Sequence, residues 1–68
     1  MDAKTFKDKY GIGECRRVAE LAGTNYDYFY QIATRFRRPS VEKAQALVEA
    51  SDGRLDLLSL LVPDKDAA

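Results

Sequence analysis

Histidine and tryptophan are absent from this chain, and cysteine occurs once, at Cys15. Without histidine there is no imidazole general acid or base. The common zinc sites, which need several Cys or His ligands, have no ligand set. A lone cysteine cannot close an internal disulfide, so no covalent staple reinforces the fold. Long apolar runs are also missing. The longest, such as Leu60-Leu61-Val62, is three residues, against the ~20 needed to span a bilayer. The start, Met1-Asp2-Ala3-Lys4-Thr5-Phe6-Lys7, is charged and lacks the apolar core of a secretory leader. A cytoplasmic chain with no membrane partner is the expectation. A chain of 68 residues rarely builds a water-excluding pocket. No enzymatic activity, cofactor or metal is therefore expected.

What is present is a globular composition: 46% apolar and 10% aromatic. One domain is the upper bound, and so small a core leaves a margin of only a few kcal/mol. Oligomerisation is the obvious way to gain buried area. The formal charge is zero, but it is unevenly spread. Residues 1–38 hold eight basic and five acidic side chains; residues 39–68 hold three and six. A basic half beside an acidic half suggests an anion-facing side.

Spacing and breakers predict an all-α fold of about five short helices. Asp2 can cap a first helix to about Lys9, with Phe6 and Tyr10 on one face and Gly11 ending it. Gly11-Ile12-Gly13 reads as a hinge. Cys15, Val18, Ala19 and Ala22 then repeat at i, i+3, i+4, i+7, giving a helix over about 14–22 ended by Gly23. Thr24 and Asn25 are both cap residues. Phe29, Ile32, Ala33 and Phe36 repeat the same spacing, giving a helix over about 25–36. Arg37-Arg38-Pro39 breaks it. Ser40 caps a fourth helix with Val41, Ala44, Leu47 and Val48 facing inward, ended by Gly53. Residues 55–62 suit either a short helix capped by Asp56 or a strand, and Pro63 stops both. The domain is expected over 1–63, with a frayed tail at 64–68.

The informative stretch is Cys15 to Thr34. Two amphipathic helices meet at a tight turn. Close approach at such a corner needs a small residue, here Ala19, and the turn needs Gly23. Phe29 and Ile32 must bury the second helix against the first. Val18-Ala19-Glu20-Leu21-Ala22-Gly23, then Phe29 and Ile32, then Arg-Arg-Pro-Ser-Val-Glu-Lys-Ala resemble the helix-turn-helix of phage Cro and repressor proteins and related small bacterial regulators. The resemblance covers about residues 14–52. It departs from the family at Thr24, where an aliphatic residue usually follows the glycine. It implies a compact helical bundle with a central helix-turn-helix, double-stranded DNA as partner, and a transcriptional regulator acting as a homodimer.

The resemblance implies that the second motif helix lies in the major groove. At ~100° per residue, Asp27, Gln31 and Thr34 fall opposite the buried stripe, with Tyr26 and Tyr30 on one flank. The candidate base-reading set is thus Tyr26, Asp27, Tyr30, Gln31 and Thr34. Gln31 can pair with adenine, and Asp27 can accept from a cytosine amino group. Gln31 also suits an ordinary solvated position, and Asp27 would complete a Thr24-x-x-Asp27 capping box. The tyrosines suit phosphates, thymine methyls or a protein partner. Arg16, Arg17, Asn25, Arg35, Arg37 and Arg38 are candidate phosphate contacts; helix-dipole compensation by Arg35 and Arg37 is the plainer role.

Leu55, Leu57, Leu58, Leu60, Leu61 and Val62 put six large apolar side chains in eight residues. A homodimer through this segment would set two reading helices ~34 Å apart. Alternatively these side chains pack under the protein's own helices. A second functional class also stays open: a helix-turn-helix domain serving as a protein-binding inhibitor or adaptor, using its tyrosine-rich helix and leucine-rich segment.

Overall fold

The Asp2 carboxylate accepts the Thr5 amide at 2.8 Å and starts the first helix. The computed structural model describes residues 1–61. Among them all regular structure is helical: α1 (Ala3–Leu21), α2 (Tyr26–Ala33), α3 (Val41–Ala50) and α4 (Leu57–Leu61). Four helices replace the expected five, because the first two segments run together. They remain distinct in direction: Gly11 sits at φ 90°, ψ 173° and kinks α1 there. Only glycine adopts that conformation without strain. No described helix is long and apolar enough to cross a membrane.

Three helices end in the same way. The backbone reverses through a left-handed residue, and two amides turn back onto the last carbonyls. In α1 the reversing residue is Gly23 (φ 83°), with the Thr24 amide on the Ala19 carbonyl at 2.9 Å. In α3 it is Asp52 (φ 56°), so the stop falls one residue before the expected Gly53. In α2 it is Arg35 (φ 67°), with the Phe36 amide on the Gln31 carbonyl at 2.8 Å. This corrects the expected span of 25–36. The apolar spacing continues to Phe36, but the helix stops at Ala33, and Phe36 is 84% exposed.

The start of α2 also differs. Asn25, not Thr24, is the cap, accepting the Tyr28 amide at 2.9 Å. The Thr24-x-x-Asp27 box does not form, because Thr24 belongs to the end of α1. Ser40 caps α3 as expected, accepting the Lys43 amide. Val41, expected inward, is exposed, while Ala44 and Leu47 are buried. The 55–62 segment resolves to helix through residue 61. Asp56 accepts both the amide and the hydroxyl of Ser59. Val62 and the expected boundary at 63/64 lie outside the described residues.

Phe6, Cys15, Val18, Ala19, Phe29, Ala44, Leu47 and Leu55 form the fully buried centre. The rings of Phe6 and Phe29 stand 6.0 Å apart, joining the first half of α1 to α2. The C-terminal elements are tied on by polar groups. Ser51 is buried; its hydroxyl donates to the Val48 carbonyl and accepts the Leu55 amide, both at 2.9 Å. The Asp56 amide donates to the Met1 carbonyl at 3.0 Å. Arg54 donates to the Ser51 carbonyl at 2.8 Å and to Glu14 at 2.7 Å. Its guanidinium also lies 4.7 Å from the Tyr10 ring and 5.2 Å from the Phe6 ring.

Two outcomes are expected. Ala19 is fully buried where α1 turns into α2, so Ala19→Leu overpacks the corner by about 1–3 kcal/mol. Thermal melting should show a fall of roughly 4–8 °C per kcal/mol, and an unchanged Tm would contradict the packing. Glu14 is held down to about 2, from an ordinary 4.5, by hydrogen bonds first from Arg17 and then from Arg54. A lowered folded-state value stabilises above the unfolded value and is lost as pH falls through the folded one. The Tm gap between wild type and Glu14→Gln should therefore shrink below pH 4.5 and close near pH 2. A gap independent of pH would show that the carboxylate charge is not what matters.

Candidate functional site

Helix α2 is short and strongly two-sided. Phe29, Ile32 and Ala33 face the core. Asp27, Tyr30 and Thr34 are exposed on the outward side, and Tyr26 and Gln31 are half-buried at its margins. The five candidate reading residues thus share the non-core side of one helix. Asn25 sets where that side begins. Its side-chain oxygen is occupied by the Tyr28 amide, which leaves its amide nitrogen for an outside partner.

The side chains on this face are already ordered by one another. The Tyr26 and Tyr30 rings are 6.2 Å apart. The Thr34 hydroxyl donates to the Tyr30 carbonyl at 2.8 Å, which ties it to the helix end. Gln31 Oε1 accepts from Arg37 Nε at 2.8 Å. The same guanidinium lies 5.4 Å from the Tyr28 ring. Arg37 is thereby held against α2 through Nε while the residue stays exposed, and the amide nitrogen of Gln31 is not used in that bond.

The remaining candidate phosphate contacts divide into two groups. Arg17 pairs with Glu14, donating through Nε at 2.9 Å, and Arg35 lies 3.5 Å from Asp2. The Thr5 amide, with a smaller contribution from Arg35, keeps the Asp2 carboxyl below its ordinary range. Both arginines are thus engaged inside the chain. Arg16 and Arg38 are exposed and, with Arg37, make no ion pair among the described residues. Sequence spacing missed two lysines. Lys7 Nζ, from the first half of α1, comes within 6.0 Å of the Tyr30 ring. Lys43 donates to the Gly23 carbonyl at 3.3 Å, beside the turn that precedes α2. Nothing in local periodicity marks either, since both reach the site through tertiary packing.

The leucine-rich segment is distributed differently from the expected dimer surface. Leu55 and Leu60 are buried in the protein's own core, and Leu57 and Leu61 pack partly against it. Leu58 alone of the five described members is exposed, at 68%; Val62 lies outside the described residues. Leu55 precedes α4, and its amide donates to the Ser51 hydroxyl at 2.9 Å. Away from α2, a shallow depression of about 380 Å³ is lined by Arg17, Leu21, Ala46, Glu49, Ala50 and Asp52. Cys15 is buried, and burial pushes its thiol up to about 11, so it stays protonated and inert.

No protein-family model, curated protein or solved structure matches this chain. The site is therefore read from its own chemistry. One consequence concerns the cap. Asn25→Ala should lower stability by about 0.5–2 kcal/mol, while Asn25→Asp keeps the cap and most of the stability. Equal losses in the two variants, measured by denaturant unfolding, would show that the Tyr28 hydrogen bond is not what orders the start of α2.

Proposed function

We propose that this chain is a small transcriptional regulator of phage or prophage type that binds duplex DNA. The second half of α1, the turn at 22–25 and α2 act as a helix-turn-helix, with α2 in the major groove. The observation that carries this is the sorting of cations. Lys4, Arg17, Arg35 and Arg54 are spent on carboxylates of the chain itself. Lys7 and Arg37 instead flank the outward side of α2, and Arg38 follows in the exposed loop. A helix face of hydrogen-bonding side chains bordered by cations that make no ion pair among the described residues suits base edges between phosphates.

In this function Gln31 donates from its amide while Arg37 fixes its oxygen, and Asp27 and the tyrosines line the rest of the groove. Zero net charge is compatible with it, because Lys4, Arg17, Arg35 and Arg54 are paired within the chain while Arg37 is held by the uncharged Gln31. A regulator of this type would sit on a two-fold site as a pair of copies. Leu58, with the margins of Leu57 and Leu61, is what remains for a contact through α4. The other functional class, a protein-binding inhibitor or adaptor, draws on exposed Leu21 and Leu58.

Selection of bound sequences from random duplex DNA, followed by a salt series, separates the two classes. A DNA-binding regulator should enrich a defined sequence and lose affinity steeply with salt. A chain that enriches nothing and binds mixed DNA weakly at low salt would contradict the proposal. Within the same series, Arg37→Ala/Arg38→Ala should weaken binding to all sequences and flatten the salt slope by about one unit or more. An unchanged slope would remove both arginines from the interface.

A further inference from the structure

Phe36 is the most exposed of the large apolar side chains among the described residues. Its position is fixed rather than loose. The apolar spacing of α2 would carry it into the core had the helix continued. Instead the helix stops, and Arg35 rather than a glycine takes the left-handed conformation that turns Phe36 out. The Phe36 amide donates to the Gln31 carbonyl at 2.8 Å, and the Arg37 amide shares that carbonyl at 3.2 Å. The backbone carrying the ring is therefore tied to Gln31, at the margin of the outward side of α2.

In a helix end of this kind an apolar residue after the reversal commonly folds back onto the last turn. Here that turn offers Tyr30 and Gln31, and the Gln31 side chain is engaged by Arg37. The ring does not fold back to bury itself on them; it stays 84% exposed. Two of its neighbours in the chain, Arg37 and Arg38, make no ion pair among the described residues. A surface that receives this ring must be apolar at its centre and anionic around it. Deoxyribose and base edges between successive phosphates have that composition.

We infer that Phe36 is a DNA contact in its own right. Its ring lies against the sugar and base-edge surface between phosphates held by Arg37 and Arg38, at the flank of the bases that α2 faces. The inference rests on the DNA-binding function proposed above and adds an apolar contact to it. Such a contact displaces no counterions, so it differs from the arginines in its salt behaviour.

The test is an anisotropy titration of a selected duplex over a salt series with wild type, Phe36→Ala, Phe36→Leu and Arg37→Ala. Phe36→Ala should weaken binding by about tenfold at every salt concentration, the loss expected for one buried ring. Its slope should run parallel to that of wild type. Phe36→Leu should recover most of the loss, and neither variant should change Tm. Arg37→Ala should change the slope. Wild-type affinity in Phe36→Ala would overturn the inference while leaving DNA binding intact. A flattened slope in Phe36→Ala would overturn it too, since the ring would then act through the arginines. A loss of affinity accompanied by a change of sedimenting mass at the same concentration would reassign the ring to a contact between copies. A wild type that binds no duplex would remove the parent function and this inference with it.

Discussion

Arg54 joins parts of the chain that local structure would leave apart. A guanidinium is flat, so it can rest on aromatic faces while its edge donates hydrogen bonds. Here the plane covers Tyr10 and Phe6 from the first half of α1. The edge reaches Glu14 beyond the Gly11 kink and the Ser51 carbonyl at the end of α3. A lysine ammonium, a point donor without a plane, cannot do both. The kink is thereby closed from outside rather than by helix propensity. Phe6, held under Arg54, is the ring that meets Phe29. Phe29 is the central inward residue of α2, so the direction of the outward side of α2 follows from this stack.

Among the described residues of this neutral chain, some cations pair with carboxylates and others are held by uncharged partners. Those near Glu14, Asp2 and Asp8 are neutralised where they stand. Arg37 is held by an uncharged partner, the Gln31 amide oxygen, and by the Tyr28 ring. Such partners orient a guanidinium without cancelling its charge. Lys7 beside Tyr30 follows the same pattern. Net charge therefore understates what an anion would meet at α2.

Much of the fold was legible because it rests on local rules. The stripe of Cys15, Val18, Ala19 and Ala22 is buried as its spacing requires. Asp2 and Ser40 cap the helices they precede. Asp56 starts the last helix, where strand and helix had been equally compatible with the leucines. Three features were not legible. Thr24 and Asn25 are both good caps, and the choice is made by the end of α1, which takes the Thr24 amide. The end of α2 lies at Arg35, a residue type that gives no sign of a left-handed backbone. Leu55 and Leu60 are core residues while Leu58 is exposed, a division that a count of leucines cannot reveal. The outward face of α2 was readable from helical period alone, whereas Lys7 and Arg54 act across large sequence separations.

The central claim is that the outward side of α2, with Arg37 and Arg38, is the surface that meets DNA. Amide chemical-shift mapping tests it residue by residue. Isotope-labelled wild-type protein is titrated with a duplex obtained by selection, and with an unrelated duplex of equal length. The largest shifts are expected at Tyr26, Asp27, Tyr30, Gln31, Thr34, Phe36, Arg37 and Arg38, with little change at Ala46 and Glu49. Shifts centred on Leu21, Ala46 and Ala50, or no shifts with either duplex, would contradict it.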